Sequence, residues 1–465
     1  MLDSGAPRVD RGILLPCAWA LAAICVLGIG FSTVPWPHGD VHTNLDRAIS
    51  QSWPETFVAA FIRGVEYRPL LTVLTKLAYE VAGLRLWIYQ LFVLLQLFAV
   101  LVALVVLLRP KGRWRVLAAC VAVACALGLH SSRSLFLFVP INHYTPALLL
   151  LLLAAILALE NRARALDWLY FPLTLAALFL LESGVLMLPL VAVLYVMKAP
   201  GASRRALAST IAGVAVYSAI RLSLTSEPLP SVGYAESGLG FVDIDRDRLR
   251  EIFAHAPWLF WAYNIVATFL SVIAAEPNAG KYRFIESLLH GNTPAWMWFR
   301  VALTLATTAI AVTALRAAPA TRDARLAATG LVLLVCGSGL GYLYTRERIA
   351  LSAGFGYVIL LYGGLAFLLE RQYAHAWSRA AALVVVTTLG TGWLLRNVEM
   401  YLYLRDTAWE FHREWTERRG STPETALFDE LRNAALARPP DDPTRDPAWS
   451  YSLFEREYAR TVDDD

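Results

Sequence analysis

Charged side chains are scarce in this chain, so those inside oily or loop segments stand out. Asp40 lies in Pro37-His38-Gly39-Asp40-Val41-His42, with Asp46 six residues on. A carboxylate can act as a general base toward a weak nucleophile. Either residue also has an ordinary reading, solvation or capping of the next helix. Glu182 is the single charge in Trp168 to Met197. A carboxylate in such a stretch is costly, and it is usually paired or functional; its plain alternative is a helix break at Glu182-Ser183-Gly184. Arg68, Arg346 and Arg348 offer guanidinium forks, which bind phosphate bidentately. Arg346 and Arg348 could equally snorkel to bilayer phosphates. His42 and His143 add hydrogen-bonding groups, and Asn142-His143-Tyr144 also reads as an interfacial cap. The five cysteines (Cys17, Cys25, Cys120, Cys125 and Cys336) lie in apolar runs with no metal-ligand spacing, so no zinc site or disulfide framework is expected.

The elements that must position these residues follow from composition. Of 465 residues 57% are hydrophobic and only 17% are charged, and mean hydropathy is +0.50. That is too little polar surface for a soluble multidomain chain. The net charge of +4 implies no polyanion partner, which argues against nucleic-acid binding. A helix needs roughly 20 apolar residues to cross a bilayer. Runs of suitable character are Ile13 to Val34, Leu86 to Leu108, Val116 to His130, Thr145 to Leu159, Ala206 to Thr225, Ala295 to Leu315, Leu326 to Tyr344, Ala350 to Leu369 and Ala380 to Leu395. The first is expected to be retained as a span rather than cleaved as a signal. At about 1.5 Å per residue, Trp168 to Met197 is too long for one straight crossing and reads as two short helices meeting at Glu182. The expectation is an all-α polytopic membrane protein with eleven spans, or twelve if Trp258 to Ala275 also crosses.

Orientation follows from Lys and Arg in short loops. With the N-terminus cytoplasmic, the inner loops carry 16 Lys or Arg in 55 residues, whereas the first outer loop, 35–85, carries 5 in 51. The transmembrane domain is then 1–395, including outer segments 35–85 and 226–294, followed by a small outer tail, 396–465. Within 35–85 a helix is expected from Pro69, with Leu70, Val73, Leu74, Leu77 and Val81 as one apolar stripe and Lys76 off it. Such a helix suits the membrane surface.

Taken in order, several residues carry a resemblance: a first span, Asp40 outside it, Tyr67-Arg68-Pro69-Leu70 opening a helix, Leu180-Leu181-Glu182-Ser183-Gly184 with Leu188-Pro189-Leu190, and Thr345-Arg346-Glu347-Arg348. This set is similar to the GT-C superfamily of membrane glycosyltransferases, in the bacterial O-mannosyltransferase-like and tetratricopeptide-associated branch. The pattern departs from the family in having one acidic residue where two adjacent ones are common, Leu181 where Lys is usual, and no Tyr or Pro in the Arg346 segment.

The resemblance implies sugar transfer on the outer face of the bacterial inner membrane. The donor would be a polyprenyl-phosphate sugar and the acceptor a glycan, lipid or protein. Asp40, with Asp46 second, would be the base. Arg68, Arg346 and Arg348 would hold phosphate, Tyr67, His42 and His143 would assist, and Glu182 would orient an arginine. No cofactor and no obligatory metal is expected. Three readings stay beside it: a polysaccharide polymerase or ligase, a transporter or flippase, and an inactive relative, because a shared fold does not guarantee a shared activity.

Overall fold

The computed structural model describes residues 11–31, 45–61 except 46, 67–136 except 84, 142–224 except 162, 237–316 except 278 and 279, and 321–416 except 346, 372 and 374. Apart from one short hairpin, β1 (Ser237–Leu239) with β2 (Val242–Ile244), these residues form helices. In chain order the helices are α1 (Arg11–Phe31), α2 (Trp53–Phe61), α3 (Pro69–Ala82), α4 (Leu86–Leu108), α5 (Arg113–Gly128), α6 (Tyr144–Glu160), α7 (Tyr170–Leu180), α8 (Met187–Val196) and α9 (Arg204–Leu224). After the hairpin come α10 (Arg246–Phe253), α11 (Pro257–Ile273), α12 (Arg283–Leu289), α13 (Ala295–Ala311), α14 (Arg322–Gly339), α15 (Leu351–Glu370) and α16 (Ala376–Thr416).

Among the described residues five helical stretches are long and apolar enough to cross a membrane: Trp87–Leu108, Arg204–Leu224, Ala295–Arg316, Leu351–Glu370 and Ala376–Asp406. A sixth would be Arg246–Phe253 with Pro257–Ile273, which bend by 118° at their junction. This corrects the expected eleven, since several of the other apolar runs form shorter helices. Gly12–Gly28, Tyr144–Glu160 and Glu182–Val196 each have 10–17 residues, at or below the lower end of what reaches across a 30 Å core. Large apolar side chains such as Val26, Leu95, Val384 and Leu395 point outward on these helices. Patches of that kind mark contact with lipid or a partner. The architecture is that of a multi-pass membrane protein.

α15 is the central post and is almost wholly buried. Its tightest neighbour is α14, where Gly330 and Gly356 let two backbones touch: a Cβ on Gly330 would come within 2.8 Å of the Gly356 carbonyl oxygen. Small residues supply close helix packing where lipid removes the hydrophobic drive between helices.

The long apolar stretch breaks where its sequence predicts. Leu181 is extended, a short 3₁₀ turn follows from Glu182 to Leu186, and α8 begins beyond it. Pro189 falls in the first turn of α8, where its missing N–H breaks no helical bond. α7 and α8 therefore run as a hairpin. Tyr170 Oη donates to the Gly201 carbonyl at 3.3 Å at the open end, Thr174 Oγ1 lies 3.4 Å from Met187 Sδ at mid-length, and Glu182 stands at the tip. Gly184 makes the fold-back possible, because a Cβ there would sit 2.6 Å from the Ala177 carbonyl carbon.

The helix ends sort into two polar layers. At one, Arg115 forks onto Asp323 (2.7 and 2.9 Å) and Glu370 (2.8 and 3.0 Å), Arg322 reaches Glu160 at 2.7 Å, Arg109 also pairs with Glu160, and Arg325 donates to the Met197 carbonyl at 3.2 Å. At the other lie Glu182, the start of α3, and Arg300 against Glu399 at 3.3 Å. α16 is continuous through position 396 and runs on to Thr416.

α11 does not carry the chain from one layer to the other. The Tyr263 hydroxyl, near its middle, donates to the Gly280 carbonyl and accepts from Gly240 N at 2.9 Å. Tyr282 N donates to the Gly240 carbonyl at 2.9 Å. The segment after Ile273 thus returns beside the hairpin that precedes the helix, as a re-entrant element.

Candidate functional site

α3 begins at Arg68 because Pro69 suits the first helical position, fixing φ while lacking a donor that would be idle there. Leu70 and Leu74 pack against Leu180 and Leu181 at the tip of the α7–α8 hairpin. Leu77 and Val81, read from sequence as part of the same apolar stripe as Leu70 and Leu74, point outward, whereas Lys76, read as lying off the stripe, is buried. Lys76 Nζ donates to the Ala48 carbonyl at 2.8 Å and pairs with Glu80 at 2.7 Å. The reason is that the helix has two partners: its leucines face the hairpin, and Lys76 pins the preceding segment. The outward apolar edge is what a helix lying on a membrane surface presents.

This packing brings Arg68 onto Glu182. Arg68 Nε and Nη2 both donate to Glu182 Oε2, at 3.3 and 3.2 Å. The other carboxylate oxygen, Oε1, faces Arg221 Nη1 at 3.6 Å. Arg221 Nη1 donates to Tyr217 Oη at 2.9 Å, one turn earlier on α9. Glu182 is thus shared by two guanidiniums, and the triad holds one net positive charge. At about 1.5 Å per residue Arg221 lies some 26 Å along α9 from Arg204, near one end of a membrane-length helix.

Aromatic rings wall one side. Tyr67 packs against Tyr217 and Phe179, with ring centroids 6.0 and 6.2 Å apart. Tyr67 is buried, and its hydroxyl has no hydrogen-bond partner among the described residues. Burial pushes the Tyr67 phenol up from its ordinary value, helped by Tyr217, so it stays a neutral donor. On another side Tyr342 is close enough to feel the charges of Glu182 and Arg221, although burial dominates and raises its phenol. The loop bearing Tyr342 is pinned by Asn264. Asn264 Nδ2 donates to the Tyr342 carbonyl at 3.1 Å and Oδ1 accepts from Thr345 Oγ1 at 3.1 Å, while Thr345 N donates to Ser237 Oγ at 3.2 Å.

Of the residues singled out in the sequence, Tyr67, Arg68 and Glu182 are brought together. The His143 ring lies tilted against Tyr144, with centroids 4.3 Å apart, and Tyr144 packs in the cluster that holds Leu180 and Leu181, so His143 belongs to the same region. Asp40, His42, Asp46 and Arg346 lie outside the described residues, as does the side chain of Arg348. Arg221 and Tyr217 were not read as site residues. The available signal was an arginine in the last turn of an apolar helix at the end that the basic-loop bias disfavours. Among the described residues no group of three His, Cys, Asp or Glu could hold a metal.

Compared with known proteins, the chain matches no family model, no curated protein and no solved structure.

Proposed function

We propose that this protein is a membrane glycosyltransferase of GT-C type, moving a sugar from a polyprenyl-phosphate donor to an acceptor hydroxyl at the outer face of the membrane. The observation that carries this reading is the Arg68–Glu182–Arg221 triad: two guanidiniums around one carboxylate, roofed by α3 near the end of a membrane-length helix. A lipid-linked donor has to be met at the bilayer edge, and its phosphate needs cationic partners. The acceptor oxygen attacks the anomeric carbon as the bond from that carbon to the phosphate oxygen breaks. The acceptor proton passes to a carboxylate, with Asp40 first and Asp46 second for that part. The negative charge left on polyprenyl phosphate is stabilised by Arg68 and Arg221, with Arg346 and Arg348 as further candidates from the sequence. Glu182 keeps two like charges side by side, and the Tyr67 hydroxyl and His143 offer polar contacts to the sugar.

The membrane arrangement that goes with this reading has a cytoplasmic N-terminus. The two polar layers support it: loops rich in Lys and Arg in the sequence gather at the Arg115 end, and the triad sits at the other. The multi-pass placement would be the cell membrane, with the site outside.

A second reading, a transporter, gains support from one observation. Among the described residues there are two broken elements, the α7–α8 hairpin and the bent α10–α11 pair with its return, and discontinuous helices are a transporter feature. The two readings are separated by incubating the purified protein with a radiolabelled polyprenyl-phosphate sugar. Sugar transfer or release that falls with Arg221→Gln supports the transferase. Retention of intact donor, with the label moved across a vesicle bilayer, supports the transporter.

A further inference from the structure

The end of the bundle opposite the triad holds a cavity of about 570 Å³, lined by Arg115, Thr313, Arg316, Tyr362, Phe367 and Arg371 among others. One side of it is closed where Gly363 on α15 packs on Ala314 in the turn after α13, since a Cβ on Gly363 would come within 2.9 Å of the Ala314 methyl. Its volume falls in the range of ordinary small-molecule sites.

The charges around it divide into two groups. Arg115 is spent: three of its nitrogens are forked onto Asp323 and Glu370. Those contacts hold both carboxylates and hold the Asp323 carboxyl below its ordinary range. Arg316 and Arg371 are different. Both are exposed and neither has an ion pair among the described residues. The inner wall therefore carries one negative charge in excess and the mouth two positive ones, so the charged lining as a whole is positive by one. Inside, Tyr362 is 1% exposed, and its hydroxyl lies beside the Arg115 guanidinium with no acceptor for its own proton among the described residues. A buried hydroxyl proton left without an acceptor is costly.

The wall also has an oily side. Gly363, Ala366, Phe367 and Glu370 follow one another at helical spacing on α15, so the cavity runs along one helical stripe. Phe367 is partly exposed beside it. Headgroup polarity at the mouth and an apolar track leading away along a membrane helix are the two requirements of a phospholipid.

We infer that this cavity binds the phosphodiester headgroup of an anionic membrane lipid, held by Arg316 and Arg371 with Tyr362 donating from within and the acyl chains lying along Phe367. Basic pockets between helices at the membrane boundary select such lipids over zwitterionic ones. The site is separate from the proposed sugar transfer at the other end of the bundle and stands whether or not that activity is found.

The test uses full-length protein in nanodiscs of phosphatidylcholine doped with phosphatidylglycerol. Lipid retained through detergent extraction is identified by native mass spectrometry. The protein is expected to retain phosphatidylglycerol in preference to phosphatidylcholine. R316Q/R371Q should lower that preference by about tenfold or more, and Ala366→Leu, which fills the cavity but keeps both arginines, should lower it as well. R204Q/R205Q, which removes the same charge from another basic loop, should leave it unchanged. An equal loss in R204Q/R205Q would reduce the effect to general surface charge and overturn the site, as would full retention in Ala366→Leu. Soluble glycerol phosphate competing as well as vesicles would assign the cavity to a free phosphate compound and overturn the lipid.

Discussion

Arg68 and Glu182 are 114 positions apart, yet two guanidinium nitrogens of Arg68 converge on one oxygen of Glu182 at 3.3 and 3.2 Å. The contact joins the start of a surface helix to the tip of a helical hairpin. It leaves the second oxygen of Glu182 to Arg221, and so creates a site with more positive than negative charge.

Replacing Glu182 by Gln keeps the shape and removes the charge that separates the two arginines. Both guanidiniums would lose orientation, and misplacement of a positioning group can cost about 100-fold in rate. Transfer from a polyprenyl-phosphate sugar is expected to fall by that order while the protein still melts cooperatively in detergent. Unaltered turnover would remove Glu182 from the site.

Arg221→Lys probes the same site differently. Lysine keeps the charge but lacks the planar fork, so phosphate contact and the bond to Tyr217 Oη cannot both be kept. Donor affinity should drop about tenfold, in line with loss of one charge-assisted hydrogen bond. Binding of the intact donor, measured by scintillation proximity, checks this separately from turnover.

Gly184→Ala should destabilise the hairpin. The added methyl would lie 2.6 Å from the Ala177 carbonyl carbon, a backbone atom that cannot swing aside. Overpacking of this kind costs about 1–3 kcal/mol. A thermal unfolding scan in detergent measures it, with Ser183→Ala as the neighbouring control. Equal melting of both variants would contradict the close packing.

Glu276 supplies a pH dependence. Burial pushes its carboxyl up to about 7, against the opposing effect of backbone N–H groups of Phe284 and Ile285. A folded-state value above the ordinary one means that its contribution is fully present at acid pH and is lost as pH rises through about 7. Hydrogen-exchange protection of the 237–294 segment should therefore weaken between pH 5 and 8 by at most about 3 kcal/mol. Glu276→Gln should flatten the profile. A slope of the opposite sign would refute the assignment.

The re-entrant course of α11 is tested by cysteine labelling in a background free of the five native cysteines. Cysteines placed at Asp247 and Leu289 should react from the same side of the membrane, and one at Arg371 from the other. Opposite labelling of the first two would show that Trp258 to Ala275 crosses.

Much of this protein was determined by its sequence alone. Apolar runs longer than 17 residues have few soluble solutions, and a lone carboxylate followed by glycine inside one forces a break, so the helical class and the fold-back at Glu182 could be read directly. Pro69 likewise marked the start of α3. Tertiary structure decided what periodicity cannot express. A stripe count treats a helix as having one partner, but α3 has the hairpin, the segment at Ala48 and an outer edge, so Lys76 went inside and Leu77 outside. Whether α11 crosses depended on hydrogen bonds from Tyr263 to residues on both flanks of the helix. Arg221 looked like a residue at a helix end, and only packing of α9 against the hairpin set it opposite Glu182. Charge pairing over such separations is invisible in one dimension because it depends on how helices are laid side by side, and not on what any one of them is made of.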